Sequence, residues 1–326
     1  MYHVRMRTIA LEEHITTPDI VKAAQLSAEG GVPPFMQALR PKLLDIGAGR
    51  IADMDAAGID LQVLSVSANT VDRLDAGTAQ ALARDANDRM AEAVRAHPDR
   101  FAAFATLALQ DADQAAAELD RCIAHLGFKG VMLNGAPNGQ FLDHPRFTPV
   151  FEAAVALDVP VYLHPAPPSK PVMEAYYSGL PDPLGFLLST AGWGWHVETG
   201  MHSLRLIVSG VFDRLPKLRI ILGHMGENLP FSIARAELVF GRGTTSLKRS
   251  ISEYFREHFY LTTSGYFTHP PFFCMQQVIG IDRIMFSVDY PFSSNALGRE
   301  FLDHLPISPE DMMKLTHRNA EQLLKL

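Results

Sequence analysis

The stretch RTIALEEH, residues 7–14, begins the pattern that decides the fold, because an apolar run ends abruptly in three ionisable side chains. In an extended strand alternate side chains share a face, so Glu12 and His14 point to one side and Glu13 to the other. The Cα atoms of Glu12 and His14 would then lie about 6.5 Å apart. From that distance a carboxylate oxygen and an imidazole nitrogen can bind one cation. A strand end running into solvent is the simpler interpretation of this stretch alone, so the rest of the chain has to decide.

Short apolar runs recur along the chain, and most are followed by segments with apolar residues at helical spacing. We predict strands at 7–11, 60–66, 101–108, 130–135, 159–164, 218–224, 259–264 and 283–289. We predict helices at 78–97, 112–126, 197–214, 229–240, 270–279 and 308–325. Near-continuous apolar strands that alternate with helices favour a parallel sheet covered on its outer face. Eight strands also close a (β/α)8 TIM barrel, so the predicted fold class is α/β.

The sequence favours a single domain over residues 1–326. The alternative is a doubly wound open sheet, which is weakened because no GxGxxG motif follows the first predicted strand. Gly/Pro-rich stretches at 29–34 and 165–184 are interpreted as loop excursions over one end of the barrel rather than as linkers between domains.

The composition argues against nucleic acid and membranes as partners. The chain has 47% hydrophobic and 20% charged residues and a net charge of −7, with no basic stripe. No stretch reaches about 18 consecutive apolar residues, and the N-terminus lacks the pattern of a signal peptide. Cys122 and Cys274 are the two cysteines and show no metal-type pairing. We therefore expect a cytoplasmic protein without a disulfide framework.

Polar side chains end several of the predicted strands, and in barrels of this type the chemistry lies at the C-terminal ends of the strands. The strand ends carry Glu12 and His14 (first), His164 (fifth), His224 (sixth) and Asp289 (eighth). So many metal-binding side chains around one barrel mouth predict a metal site. The two carboxylates and two imidazoles of Glu12, His14, His164 and Asp289 form a mixed set that suits Zn²⁺ or Mn²⁺.

The fourth predicted strand indicates one metal ion rather than two. A two-metal hydrolase on this scaffold needs a bridging carboxylate, often a carbamylated lysine, from a middle strand. Here the strand GVMLNG offers only Asn134, and Lys129 precedes it.

His224 is interpreted as an acid/base or substrate-polarising group rather than as a fifth ligand. Glu227 follows closely enough to orient the imidazole by a hydrogen bond. The alternative for Glu227 is a first-turn helix residue that favours the N-terminus of the next helix.

These residues, in this order, resemble the amidohydrolase superfamily, and within it the metal-dependent, cofactor-free γ-resorcylate and 2,3-dihydroxybenzoate decarboxylases. The resemblance covers nearly the whole chain and is carried by ALEEH, HPDRFAAFATLALQD, LDRCIAHLGFKGVMLNG, VPVYLHP, LRIILGHMGENLPF, FYLTTSGYF and DRIMFSVDYPF. The Glu-x-His opening is its most specific feature, because hydrolases of the superfamily usually begin with His-x-His.

The resemblance implies one divalent metal ion, no organic cofactor and an ortho-hydroxylated aromatic acid as substrate. It makes Glu12, His14, His164 and Asp289 the ligands and His224 the catalytic histidine with Glu227 as its partner, and it places Arg235 near the active site. It favours Asp289 as the proton donor with His224 assisting, although the residues alone leave the two equal. It also implies a homodimer or homotetramer.

Aromatic side chains near these motifs are candidates for the walls of a substrate pocket: Trp193, Trp195 and Phe292. Two alternatives to the decarboxylase remain at this point. The same residues would serve a metal-dependent hydrolase of an ester, lactone or amide, or a barrel that binds a small acid without catalysis.

Overall fold

The computed structural model describes residues 6–27, 34–67, 71–241 and 246–326. Its strands run parallel, as predicted. They are β1 (Ile9–Ile15), β2 (Leu61–Val66), β3 (Phe101–Ala103), β4 (Ala105–Thr106), β5 (Val131–Asn134), β6 (Val161–His164), β7 (Ile220–Leu222), β8 (Phe259–Thr262) and β9 (Ile284–Met285). Every pairing between neighbouring strands is parallel.

The strands form two sheets that meet at both edges. β1–β2–β3 make one sheet and β4 to β9 the other. At one edge only Phe104 separates β3 from β4. At the other edge Leu11 of β1 pairs in parallel with Ser287, just after β9. These contacts join the strands into the ring of a (β/α)8 TIM barrel, and the predicted α/β fold class is confirmed.

The interior of the ring is filled by alternate residues of the strands, as the two-residue period of a strand requires. This inner cluster includes Ile9, Leu11, Leu61, Val63, Ala102, Phe104, Met132, Tyr162, Ile221 and Met285. Leu323 and Leu324 of the last helix join it. Beside them the Lys129 side chain, just before β5, donates to the backbone carbonyl of Lys325 at 3.0 Å. The last helix therefore covers the N-terminal end of the barrel and leaves the C-terminal end for the site.

Helices flank the barrel and bury the outward faces of the strands. The longer ones are Pro18–Ser27, Pro34–Leu44, Ala48–Ala56, Ala76–Ala96, Ala112–Leu126, Thr148–Ala156, Gly194–Val208, Leu229–Phe240, Ile251–His258, His269–Ile279 and Asn295–His304. Shorter helices are Lys170–Val172, Leu184–Ser189, Val211–Arg214, Pro309–Met313 and Asn319–Leu324, with a wider turn at Lys314–Arg318. No helix among these described ranges combines the length and apolarity that crossing a bilayer demands.

Several predicted elements are shorter or divided. The strand predicted at 101–108 changes partners at Phe104, whose N–H donates to Leu64 of β2 while the next N–H donates toward β5. The helix predicted at 197–214 breaks at Gly210, which has φ +73°. Within the predicted loop at 165–184 lie helical turns at Lys170–Val172 and Met173–Tyr177. Residues 29–33 of the other predicted loop lie outside the described residues.

Candidate metal centre and active site

The four predicted ligands meet at the C-terminal end of the barrel. Glu12 Oε1 lies 3.1 Å from His164 Nε2 and 4.0 Å from His14 Nε2. His14 Nε2 lies 3.3 Å from Asp289 Oδ1. Glu12, His14 and His164 lie close enough to bind one ion between them, and Glu12 and Asp289 form a second such group with His224.

Strand β1 is less regular than the sequence predicts. Its register with β2 shifts between Ala10 and Glu13. Glu12 has φ +63°, a backbone conformation that side chains other than glycine rarely adopt. A bulge of this kind redirects a side chain, and here it accompanies the entry of Glu12 into the barrel mouth.

The two oxygens of Glu12 have different environments. Oε2 accepts hydrogen bonds from the hydroxyls of Tyr162 and Ser264. Oε1 is buried and accepts no hydrogen bond from the described residues. Burial raises the pKa of Glu12, but the neighbouring His224, His164 and His14 outweigh it and hold the pKa below its ordinary value. A buried anionic oxygen without a donor is rare in proteins, and a bound cation would satisfy it.

Both ligand imidazoles present Nε2 to Glu12. His164 Nδ1 lies 2.8 Å from the carbonyl oxygen of Pro165. A carbonyl only accepts, so Nδ1 carries a proton and Nε2 is the ring atom that a bound cation would take. His14 Nδ1 lies 3.2 Å from the Ser65 hydroxyl. Partners on the second ring nitrogen are typical of metal-binding histidines, so the described residues fit a divalent metal ion.

Glu13 and Arg50 support the backbone of the cluster. Glu13 accepts the N–H groups of Val288 at 2.9 Å and Tyr290 at 3.1 Å, and burial raises its pKa to about 8. The buried Arg50 guanidinium donates to the carbonyl of His14 at 2.6 Å and lies over the Tyr290 ring.

His224 lies beside the cluster in a strained turn that follows β7. The residues other than glycine with positive φ in this turn are His224 (49°), Met225 (56°), Glu227 (55°) and Asn228 (64°). His224 Nδ1 lies 2.7 Å from Glu227 Oε1. Its Nε2 faces Glu12 Oε1 at 3.7 Å and Asp289 Oδ2 at 3.8 Å. The structure thus brings His224 and Glu227 together, and the Glu227 carboxylate bonds a histidine rather than the start of the next helix.

The charges around His224 favour its protonated form. Burial lowers the pKa of His224, but Glu227 and Glu12 outweigh burial and raise it well above the ordinary value. The pKa of Asp289 is lowered, because His14 and His224 outweigh the effect of burial. Carboxylates thus face both ring nitrogens of His224, Glu227 at Nδ1 and Glu12 with Asp289 at Nε2.

The four residues predicted to bind substrate lie in different surroundings. The ring of Phe292 contacts that of His14, with 5.6 Å between centroids. Trp193 is exposed just before the helix Gly194–Val208, and Trp195 is half-buried within its first turn. Arg235 lies exposed on the helix Leu229–Phe240. Of these, Phe292 is placed beside the candidate ligand His14 by its ring contact.

Strand β5, which pairs with the strand of His164, supplies no side chain among the described residues that could bridge two metal ions. Asn134 ends β5 and pairs in register with His164. The Lys129 amine lies at the opposite end of the barrel, where it bonds Lys325. A carbamylated lysine therefore cannot bridge two ions from this position, in keeping with the prediction of one metal.

Sequence reasoning missed three contributors. His196 binds the second oxygen of Glu227, with 2.6 Å between Nδ1 and Oε2. Tyr162 reaches Glu12 from the inner face of β6. Glu13 points away from the cluster, as predicted, but the sequence did not predict that it holds the loop of Asp289. The two-residue alternation that puts Tyr162 inside the barrel beside His164 was the available signal.

Comparison with known proteins agrees with the fold. A γ-resorcylate decarboxylase from a Polaromonas species is 40% identical over 330 residues, covering 98% of this chain and 98% of that protein. A decarboxylase from Emericella nidulans is 37% identical, covering 98% of this chain and 97% of that protein. The structure of a dihydroxybenzoic acid decarboxylase from Polaromonas, with bound manganese and the inhibitor 2-nitroresorcinol, has a TM-score of 0.90 and 39% identity, covering 98% of this chain and 97% of that one.

The sequence profile described as Amidohydrolase matches residues 39–326. The chain belongs to the amidohydrolase family. The family and the donor set together support a centre for one divalent metal ion.

Proposed function

We propose that this protein is a metal-dependent, non-oxidative decarboxylase of an ortho-hydroxylated aromatic carboxylic acid such as a dihydroxybenzoate. The observation that carries the proposal is the buried, unpaired Glu12 Oε1 facing the imidazoles of His14 and His164 at the barrel mouth. Relatives that align over nearly the whole chain are decarboxylases of γ-resorcylate, and a 5-carboxyvanillate decarboxylase from Sphingomonas paucimobilis has a TM-score of 0.92 at 35% identity, covering 98% of this chain and 99% of that one.

The proposed ligands are Glu12, His14, His164 and Asp289, holding one zinc or manganese ion with no organic cofactor. Two imidazoles and two carboxylates are compatible with either metal. When bound, the ion supplies Lewis-acid polarisation of the hydroxyl and carboxylate oxygens of the substrate and fixes their geometry.

The proton steps are assigned to Asp289 and His224. The anionic Asp289 accepts the proton of the ortho-hydroxyl group, which leaves a phenolate that enriches the adjacent ring carbon in electrons. Asp289 then delivers a proton to the ring carbon that bears the carboxylate, with His224 Nε2 assisting from 3.8 Å. The bond to the carboxylate breaks, CO2 leaves, and the electron pair restores the aromatic ring as a phenolate, which takes its last proton from water.

Phe292, Trp193 and Trp195 are proposed to enclose the aromatic ring and to exclude water, and Arg235 to bind the acid. The contact between Phe292 and His14 supports this role for Phe292. Flat rings pack well against an aromatic substrate.

We also propose a cytoplasmic homodimer or homotetramer. Both cysteines are free thiols, which suits a reducing compartment. Large apolar side chains are exposed along residues 184–197, including Leu184, Leu187, Val197 and Trp193, which is 52% exposed. Exposed apolar patches of this kind are typical of interaction surfaces.

The test uses purified protein reconstituted with Mn²⁺ or Zn²⁺ and a panel of 2,6- and 2,3-dihydroxybenzoate, salicylate and 5-carboxyvanillate. CO2 release and the ultraviolet loss of substrate are followed together, with benzoate as the control that lacks the ortho-hydroxyl group. Metal-dependent CO2 release from a hydroxylated acid but not from benzoate is the expected result. Bound metal without any decarboxylation would contradict the proposal and direct the work to esters and lactones.

A further inference from the structure

Glu227 binds two histidines, one on each carboxylate oxygen. Oε1 lies 2.7 Å from His224 Nδ1, and Oε2 lies 2.6 Å from His196 Nδ1. Glu227 and His196 are almost fully buried, so bulk water is not an alternative partner. The His196 ring also lies beside the His224 ring, with 5.1 Å between their centroids. His196 therefore contacts His224 directly as well as through Glu227.

The second ring nitrogen of His196 fixes the number of protons in this pair. Nε2 lies 3.0 Å from the carbonyl oxygen of Ala191, and a carbonyl only accepts, so Nε2 carries a proton. A neutral ring with its proton on Nε2 has a bare Nδ1, which would repel a carboxylate oxygen 2.6 Å away. A proton must therefore lie between His196 Nδ1 and Glu227 Oε2. Whichever atom holds it, the pair of His196 and Glu227 has no net charge.

The position of His196 is well defined. It lies in the first turn of the helix Gly194–Val208, where a side chain at Gly194 would collide with the carbonyl oxygen of Ser189. The ring also packs edge-on against Tyr266, at 5.3 Å between centroids. Tight packing on both sides lets His196 hold Glu227 in one orientation.

We propose that His196 is a positioning residue for the decarboxylation, one that fixes the orientation of Glu227 behind His224; this inference rests on the proposed function. The bond from His196 Nδ1 occupies one carboxylate oxygen of Glu227, so the other oxygen stays directed at His224 Nδ1. His224 is thereby held with its Nε2 facing Glu12 and Asp289.

The first test compares His196→Phe with His196→Gln. Phe keeps the ring volume but cannot donate, whereas the amide N–H of Gln can still reach a carboxylate. We expect His196→Phe to lower kcat by about tenfold or more, with KM changed less than about threefold and metal content unchanged. His196→Gln should recover most of the lost kcat. His258→Phe, which changes a buried histidine away from the cluster, is the matched control for packing.

Three results would overturn the proposal. They are an unchanged kcat in His196→Phe, loss of metal together with activity, and equal defects in the Phe and Gln variants. Equal defects would mean that His196 only fills space.

A second measurement needs no substrate. In the zinc-loaded protein, NMR of ¹⁵N-labelled histidines should contain a strongly downfield, hydrogen-bonded proton that is absent from His196→Gln. Its absence from the unaltered protein would overturn the shared proton whatever the activity. An unaltered protein that has this proton but decarboxylates nothing would contradict the proposed function and leave the hydrogen-bond assignment in place.

Discussion

The carboxylate of Glu13 holds the backbone on both sides of Asp289. Its Oε1 accepts the N–H of Val288 at 2.9 Å and its Oε2 accepts that of Tyr290 at 3.1 Å. Asp289 itself has φ +68°, a conformation that needs support from its surroundings. The adjacent acidic residues of β1 therefore have separate tasks: Glu12 enters the cluster of proposed ligands, while Glu13 fixes the loop that carries Asp289, the fourth of them.

Replacing Glu13 with Gln should weaken metal binding. One of the two acceptors becomes an amide N–H that faces a backbone N–H, so the loop of Asp289 loses a buried hydrogen bond worth about 1–3 kcal/mol. We expect the metal dissociation constant to rise by about tenfold, a change that corresponds to about 1.4 kcal/mol. This dissociation constant is measured by titrating the metal-free protein with Mn²⁺ and following the concentration of the free ion. The exposed Glu92→Gln variant is the control, and equal affinities in the two variants would refute the role of Glu13.

Asp289→Asn should abolish turnover while some metal stays bound. The amide oxygen can still bind an ion weakly, but the side chain can no longer accept and deliver a proton. Metal content and CO2 release are measured on the same sample. Full activity in this variant would exclude Asp289 as the proton donor.

His224→Asn should retain the metal and lose most of its activity. His224 is proposed as a proton-transfer group, because its Nδ1 bonds the Glu227 carboxylate while its Nε2 faces Glu12 and Asp289. Loss of this group should lower kcat by about 100-fold or more. If the variant instead purifies without metal under conditions that load the unaltered protein, His224 is a ligand.

The stability of the protein should fall in acid because of a buried histidine outside the site. Burial lowers the pKa of His202 from 6.5 to about 3, and its Nε2 accepts the N–H of Leu142 at 2.9 Å. Between these two pKa values the unfolded chain binds a proton at His202 that the folded chain excludes. The contribution of neutral His202 to the free energy of unfolding is therefore fully present above pH 6.5 and is lost as the pH falls toward 3.

His202→Gln keeps an acceptor for Leu142 but removes the titration. The free energy of unfolding is measured with urea at several pH values between 6.5 and 3. Its fall per pH unit should be smaller in this variant than in the unaltered protein by about 1.4 kcal/mol. Identical slopes would mean that other groups cause the acid sensitivity.

The sequence predicted the features that depend on the residues of a single helix or strand. Helical spacing predicted the helix Ala112–Leu126 over its full length. The ends of apolar runs predicted Glu12, His14, His164, His224 and Asp289 near one barrel mouth, where the structure brings them together. Each of these inferences needs only the period of one element and the shared direction of parallel strands.

Contacts between distant segments could not be predicted in this way. The bond between Glu13 and Val288 joins residues 275 positions apart, and it depends on a register that only the closed barrel defines. His196 lies in an ordinary helical pattern, and its partner Glu227 is 31 positions further along the chain. The bulge at Glu12 is likewise a product of the pairing between β1 and β2 rather than of the residues in β1 alone.

The most direct test of the central claim is a metal titration of catalysis. Metal-free protein is titrated with Mn²⁺ or Zn²⁺, and CO2 release from 2,6-dihydroxybenzoate and the other hydroxybenzoates of the panel is measured at each step. We predict no activity without metal and a linear rise that ends at about one ion per chain, as one four-ligand site requires. Decarboxylation by the metal-free protein, or none at any metal loading, would contradict a metal-dependent decarboxylase.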